Sequence, residues 1–298
     1  MPPASNAAVP LRLLLAAAAC AAALPAQTLE AAELLHALAN TAAIFSRTVP
    51  ALSAVETLSQ HGRRGEMQYA RKGRRNELHD VSFVLPEEFQ RHEVVSAYSF
   101  GGIPGLTGFH ELRRTLTVDG GPPPDAEARH AMTLGLRRPD DGRRKEVLED
   151  MERNQLQGAV TDFGPMLLLF TEAGQANYRF RPGGTDRLGR DPAFVLHYRQ
   201  VTGPGAVAEF RDREEVLHPA QGRIWFRESD LLPLRLTFES DEIIAPKYVL
   251  RNEADITYTP TPFGLAPSLI LHRQFLNQDL LVENRFSYGS FQGRVFFP

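Results

Sequence analysis

From Asn177 to the C-terminus, apolar and polar residues alternate with a period of two in short runs separated by Pro, Gly, Asn and Asp. The stretch Gly222–Phe238 shows the pattern best. Leu232, Leu234, Leu236 and Phe238 fall on one side of a run whose other side is Pro233, Arg235, Thr237 and Glu239. Period-2 alternation marks a half-buried antiparallel strand, and Glu228-Ser229-Asp230 supplies the bend before it. The same grammar predicts strands at Tyr178–Arg181, Ala193–Val201, Ala206–Leu217, Arg223–Glu228, Leu232–Asp241, Lys247–Tyr258, Ser268–Leu276 and Leu280–Phe291. The breaks include Pro182-Gly183-Gly184 and Gly203-Pro204-Gly205. Upstream, Ala51–Gln60, Glu66–Arg71, Val81–Leu85, Glu88–Phe100 and Thr115–Val118 read as further strands. Thr28–Arg47 has helical spacing instead. Leu34, Leu38 and Phe45 form one stripe, Glu30 and Glu33 sit at the start, and Thr48-Val49-Pro50 ends it. Asp125–Met132 and Arg143–Gln157 are two more helical segments. Many strands at hairpin spacing predict a barrel or sandwich rather than βαβ units.

The first residues change the picture of where the chain works. Arg12 precedes Leu13-Leu14-Leu15 and an alanine-rich run to Leu24, then Pro25-Ala26-Gln27. That is the layout of a secretory signal peptide, expected to span residues 1–26. The apolar run is too short to cross a bilayer, which takes about 20 residues. Residues 27–298 are then expected to form one exported domain, with a loop and helix insertion around 119–157 marked by Asp119-Gly120-Gly121-Pro122-Pro123-Pro124. Cys20 is the chain's one cysteine, so no intramolecular disulfide forms. Ala17-Ala18-Ala19-Cys20 also makes Cys20 a candidate lipidation site.

Charge narrows the partners. The formal net charge is −3, which gives no global case for nucleic acid. One local concentration stands out: Arg63, Arg64, Arg71, Lys72, Arg74 and Arg75 against Glu66, a candidate contact for an anionic membrane surface. Nine histidines are scattered without His-x-x-x-His spacing, so no metal set is predicted. Gly101–Gly108 lacks the Lys-Ser/Thr of a phosphate loop, Asp162-Phe163-Gly164 has no other kinase motif beside it, and no Gly-x-Ser-x-Gly elbow occurs. No catalytic residue and no cofactor is predicted.

Gly222-Arg223-Ile224-Trp225-Phe226, an acidic turn and Leu232-Pro233-Leu234-Arg235 resemble the central hairpin of outer-membrane lipoprotein-sorting and carrier proteins. Phe263-Gly264-Leu265-Ala266-Pro267 resembles their next connection, and Asp162–Phe170 with Tyr178-Arg179-Phe180 is similar to exported bacterial proteins of that group. The resemblance implies an α+β fold, a strongly curved antiparallel sheet (an incomplete β-barrel) with helices on its concave side. It also implies a hollow for an acyl chain, and hence a non-catalytic envelope protein binding a lipid or lipoprotein acyl chain. Leu167, Leu169, Phe170, Leu234 and Leu236 are the candidate cavity residues, with the hairpin expected near the centre of the sheet. Two alternatives stay open: a sensing or scaffold module that binds an envelope protein or polymer through its surface, and a secreted hydrolase.

Overall fold

Residues 52–62 alternate between buried and more exposed positions without a break, which makes Leu52–Gly62 the first strand, β1. In this computed structural model, residues 31–63, 66–71, 78–101, 110–122, 163–211, 214–245 and 247–293 are described. The segment before β1 is a helix, α1 (Ala31–Thr48), burying Leu34, Leu38, Thr41, Ala42 and Phe45 along one stripe. Pro50 follows at its end in a short 3₁₀ turn. The later strands are β2 (Glu66–Arg71), β3 (Leu78–Val84), β4 (Gln90–Gly101), β5 (His110–Val118), β6 (Tyr178–Leu188) and β7 (Asp191–Gln200). Then come β8 (Val207–Arg211), β9 (Glu214–His218), β10 (Gln221–Arg227), β11 (Pro233–Ala245), β12 (Tyr248–Thr261), β13 (Gly264–Leu276) and β14 (Asp279–Gly293).

Ten of these form one antiparallel sheet in the order β5-β4-β1-β14-β13-β12-β11-β10-β7-β6, and its two edge strands do not pair with each other. The fold is therefore an α+β open half-barrel, as expected. Consecutive hairpins build β10 to β14, and β1 then adds alongside β14. The pairs β2–β3 and β8–β9 stand apart as two-stranded sheets. Cross-strand register aligns Leu196, Ile224, Leu236, Ile256, Ile270, Phe286, Leu58 and Val94 in one buried row over eight strands. This belt is the core of the inner face. α1 and a 3₁₀ turn, Gly164–Phe170, cover that face, and α1 rests chiefly on the turn rather than on the sheet.

Three sequence readings are revised. The Gly222–Phe238 hairpin is not central, since β10 and β11 stand third and fourth from the β6 edge. Pro182-Gly183-Gly184 is not a break but a bulge inside β6, because Gly184 adopts φ +83° and lets the strand bend while still pairing with β7. The run read as one strand over Ala206–Leu217 is two, β8 pairing with β9. The predicted signal peptide, Cys20 and the Arg143–Gln157 helix lie outside the described residues.

Gly222 is required by a local exchange of partners. It lies opposite Tyr198, whose hydroxyl donates to the Thr237 carbonyl at 2.8 Å, while the Arg223 N–H donates to the Thr237 hydroxyl at 3.1 Å. A Cβ on residue 222 would land on that carbonyl. Gly222→Ala is expected to cost about 1–3 kcal/mol as an overpacked site. Denaturant titration checks this, and a midpoint equal to that of the parent would remove the explanation.

Candidate functional site: a filled hollow and two outer clefts

The inner face carries three kinds of surface in register. The apolar belt is the middle one. Over it the Gly164–Phe170 turn inserts Met166, Leu167 and Phe170, all buried. The Phe170 ring packs 4.9 Å from Tyr198, 5.1 Å from Tyr178 and 6.1 Å from Phe180. From α1, Phe45 meets Phe100 at 5.9 Å and Tyr258 at 6.2 Å. The hollow is thus filled by the chain's own side chains. Of the predicted cavity residues, Leu167, Phe170 and Leu236 are fully buried here. Leu169 is partly buried against the same cluster. Leu234 is also partly buried, and it borders an outer cleft as well.

Beside the belt, the alternation that should place apolar residues inward places charge instead. Glu56 in β1 stands opposite Tyr288 and Ser96, and Arg113 reaches it from β5. The guanidinium donates from Nε at 2.7 Å and Nη2 at 2.9 Å to the two Glu56 oxygens, and from Nη2 at 3.1 Å to Glu111. It also lies over the rings of Tyr98 and Phe286. Burial opposes its charge, yet Glu111 and Glu56 hold its pKa well above the usual value. The Tyr98 hydroxyl donates to Glu111 at 2.5 Å, and its pKa is raised by burial first and by that carboxylate second. This cluster also fixes the turn: the Gly164 N–H donates to Glu111 at 3.2 Å, and Tyr258 donates to the Gly164 carbonyl at 3.0 Å. A pair of carboxylates is the raw material of general acid–base chemistry. Here both are 1% exposed and ion-paired to Arg113, so the arrangement works as a clamp on the turn.

On the other side of the belt the inward positions are amides. Gln60 donates to Asn284 at 2.6 Å, Asn284 meets His272 Nδ1 at 3.3 Å, and Gln274 donates to Asn252 at 3.2 Å. Phe163 stacks on His272 at 5.0 Å. Sequence reasoning missed both flanks of the belt. The signal was nevertheless present: counting by twos from Leu58 lands on Glu56 and Gln60, and from Ile270 on His272 and Gln274.

Among the described residues, clefts of about 620 and about 410 Å³ open on the outer face. Between them the β6–β7 hairpin covers Trp225, which packs with Leu188, Ala193 and Val195 and is 1% exposed. Its indole N–H donates to Asp186 at 2.9 Å, a bond that lowers the Asp186 pKa. Arg223 and Arg235 sit 4.9 and 4.5 Å from its ring, one toward each cleft. Trp225 is therefore on the outer face, as its parity predicts, but under cover.

Of the predicted anionic-surface patch, Arg63 is committed to local structure. It donates to the Leu280 and Pro86 carbonyls, stacks over Phe89, and lies 3.8 Å from Asp279. Arg71 falls in β2, while Arg64, Lys72, Arg74 and Arg75 lie outside the described residues, as does the glycine-rich loop after Gly101. Among the described residues no three His, Cys, Asp or Glu side chains gather into a metal site, and no helix is long and apolar enough to cross a membrane.

No family model matches the chain, and no curated protein matches it in sequence. Solved structures similar to it include an outer membrane lipoprotein-sorting protein domain from Vibrio parahaemolyticus, at 9% identity and TM-score 0.40 over 90% of this chain and 95% of that one. A DUF1329 family protein from Desulfovibrio piger is similar at 10% identity and TM-score 0.34, over 89% and 95% of the two chains. A LolA superfamily protein from Nitrosomonas europaea is similar at 12% identity and TM-score 0.31, over 87% and 95%.

Proposed function

We propose that the chain is a non-catalytic binding module of the bacterial cell envelope. Its half-barrel takes up a lipid or lipoprotein acyl chain in the place of its own Gly164–Phe170 turn. One observation carries this reading. Five consecutive apolar residues, Met166–Phe170, lie in a seven-residue 3₁₀ turn between sheet and helix, a conformation that rarely runs beyond three or four residues. Such a turn is held by its buried side chains more than by its backbone, so another apolar chain can compete with it. The magnitudes favour the exchange narrowly. A palmitoyl chain of about 14 methylenes gains on the order of 11 kcal/mol at about 0.8 kcal/mol each. Expelling Met166, Leu167 and Phe170 forfeits about 5–9 kcal/mol at about 1.5–3 kcal/mol each. About 2–6 kcal/mol remain, so affinity is expected to lie between tens of micromolar and millimolar.

Mass spectrometry of the full chain purified from envelope extracts is expected to show a co-purified lipid, with saturable uptake of a fluorescent fatty acid by the stripped protein. Neither signal at millimolar ligand would end this reading. The alternative, a sensing or scaffold module binding protein or polymer through its surface, is favoured by a different observation: Leu38, Phe45, Leu167 and Phe170 are 0% exposed, as in an ordinary core. It predicts no uptake and an envelope partner in cross-linking.

A further inference from the structure

The larger outer cleft carries an unbalanced charge. Cross-strand register puts Arg179 directly opposite Arg199, and Arg181 and Arg223 on either side of His197. Like charges face to face on neighbouring strands destabilise a sheet. Elsewhere on the same face the problem is solved: Arg235 is paired with Asp255, Arg251 with Asp241 and Arg273 with Glu283. Among the described residues none of the four cleft arginines has such a carboxylate partner, and the cleft's one acidic lining residue is Glu239. The four arginines are exposed, so their donors are available. Gly183 brings the β6 backbone against the His197 ring, where a Cβ would collide with it. His197 itself reports the field. Its pKa is lowered by burial and then by Arg181 and Arg223.

We infer that this cleft, between β6, β7, β10 and β11, is a binding site for a ligand bearing a phosphate group, held by Arg179, Arg181, Arg199 and Arg223. Guanidinium forks match phosphate oxygens bidentately, and a doubly charged anion answers several cations at once. At about 620 Å³ the cleft exceeds one phosphate and suits a head group attached to it. Arg181 and Arg223 flank His197, so a bound anion also offsets their share of its lowered pKa. The site does not depend on the inner face taking a ligand.

The chain's one tryptophan supplies the readout, because Arg223 stacks on Trp225 while lining the cleft. Titrating the full chain with inorganic pyrophosphate at constant ionic strength is expected to change Trp225 emission saturably, with a rise in the His197 pKa measured by NMR. Arg181→Gln with Arg199→Gln, neither of which touches the indole, is expected to weaken binding at least tenfold. Arg273→Gln, on the same face but outside the cleft, is expected to leave it unchanged. Co-sedimentation with phosphatidylcholine vesicles, with and without phosphatidic acid, identifies the source. Retention only with phosphatidic acid, lost in the double variant, assigns a lipid head group, and pyrophosphate binding without retention assigns a soluble phosphate compound. No saturable response to pyrophosphate together with no phosphatidic-acid-dependent retention would overturn the site, as would equal weakening by Arg273→Gln.

Discussion

Replacing Arg113 with methionine is expected to remove about 3–5 kcal/mol of stability at neutral pH, because it leaves Glu56 and Glu111 buried without their cation. Loss of a surface ion pair would cost about 0–1 kcal/mol, so the size of the effect separates the two cases. The pH dependence separates them further. In the variant, burial without a partner cation penalises the carboxylate and so favours the neutral carboxyl at both positions. A raised folded pKa gives stability that is fully present below the unfolded pKa and is lost as pH rises through the folded one. The deficit against the parent should therefore shrink as pH falls toward about 4 and be largest at neutral pH. Urea melts at pH 4 and pH 7 read it directly. Converting the cluster to Arg113→Met, Glu56→Gln and Glu111→Gln together should recover much of the loss, since no bare charge is left inside. A deficit under 1 kcal/mol, or one independent of pH, would mean that the cluster does not hold the Gly164–Phe170 turn as its geometry implies.

That cluster shows what can and cannot be read along a chain like this. Strand existence follows from local alternation, which is why β1, β4 and β10 to β14 lie close to their expected positions. Glu56 and Arg113 also break the alternation locally. Nothing near them says that they meet, because their contact depends on β4 lying between β1 and β5 while β14 takes the other side of β1. Pairing across 57 positions is a property of topology, not of pattern. The same holds for the basic cleft. Arg179, Arg199 and Arg223 sit in separate strands whose sequences look like ordinary solvated edges, and only the order β10-β7-β6 puts them side by side. By contrast, the basic run between Arg63 and Arg75 was conspicuous because its charges are neighbours in sequence, and the one member with a described side chain, Arg63, is already engaged. The Pro182-Gly183-Gly184 reading shows the converse. Residues that usually end a strand can bend one instead when φ is free to turn positive, and here the bend carries the hairpin over Trp225.

The Gly164–Phe170 turn is either a plug or plain core, and truncating it tells which. Phe170→Ala removes a ring packed against Tyr178, Phe180 and Tyr198 and is expected to cost about 3–5 kcal/mol; Leu167→Ala is expected to cost about 2–5 kcal/mol. Both readings share that loss, so stability alone decides nothing. They part on what refills the space. If an acyl chain competes with the turn, shrinking the turn lowers the cost of its displacement by roughly the lost burial, about 1.5–3 kcal/mol per side chain, which is at least a tenfold gain in affinity. Palmitate should then bind Phe170→Ala more tightly than the parent and raise its melting temperature. Ligand present at 100 times its dissociation constant restores about 2.7 kcal/mol, most of what the truncation removed. Leu167→Ala should behave alike, giving a second, independent variant should one fold poorly. A plain core predicts a different pair of results: melting temperatures lowered by the cavity, and no palmitate dependence in parent or variant. Calorimetric melts of the three proteins with and without palmitate distinguish the outcomes. Under the plug reading the variant that loses the most packing should also show the largest ligand-induced rise.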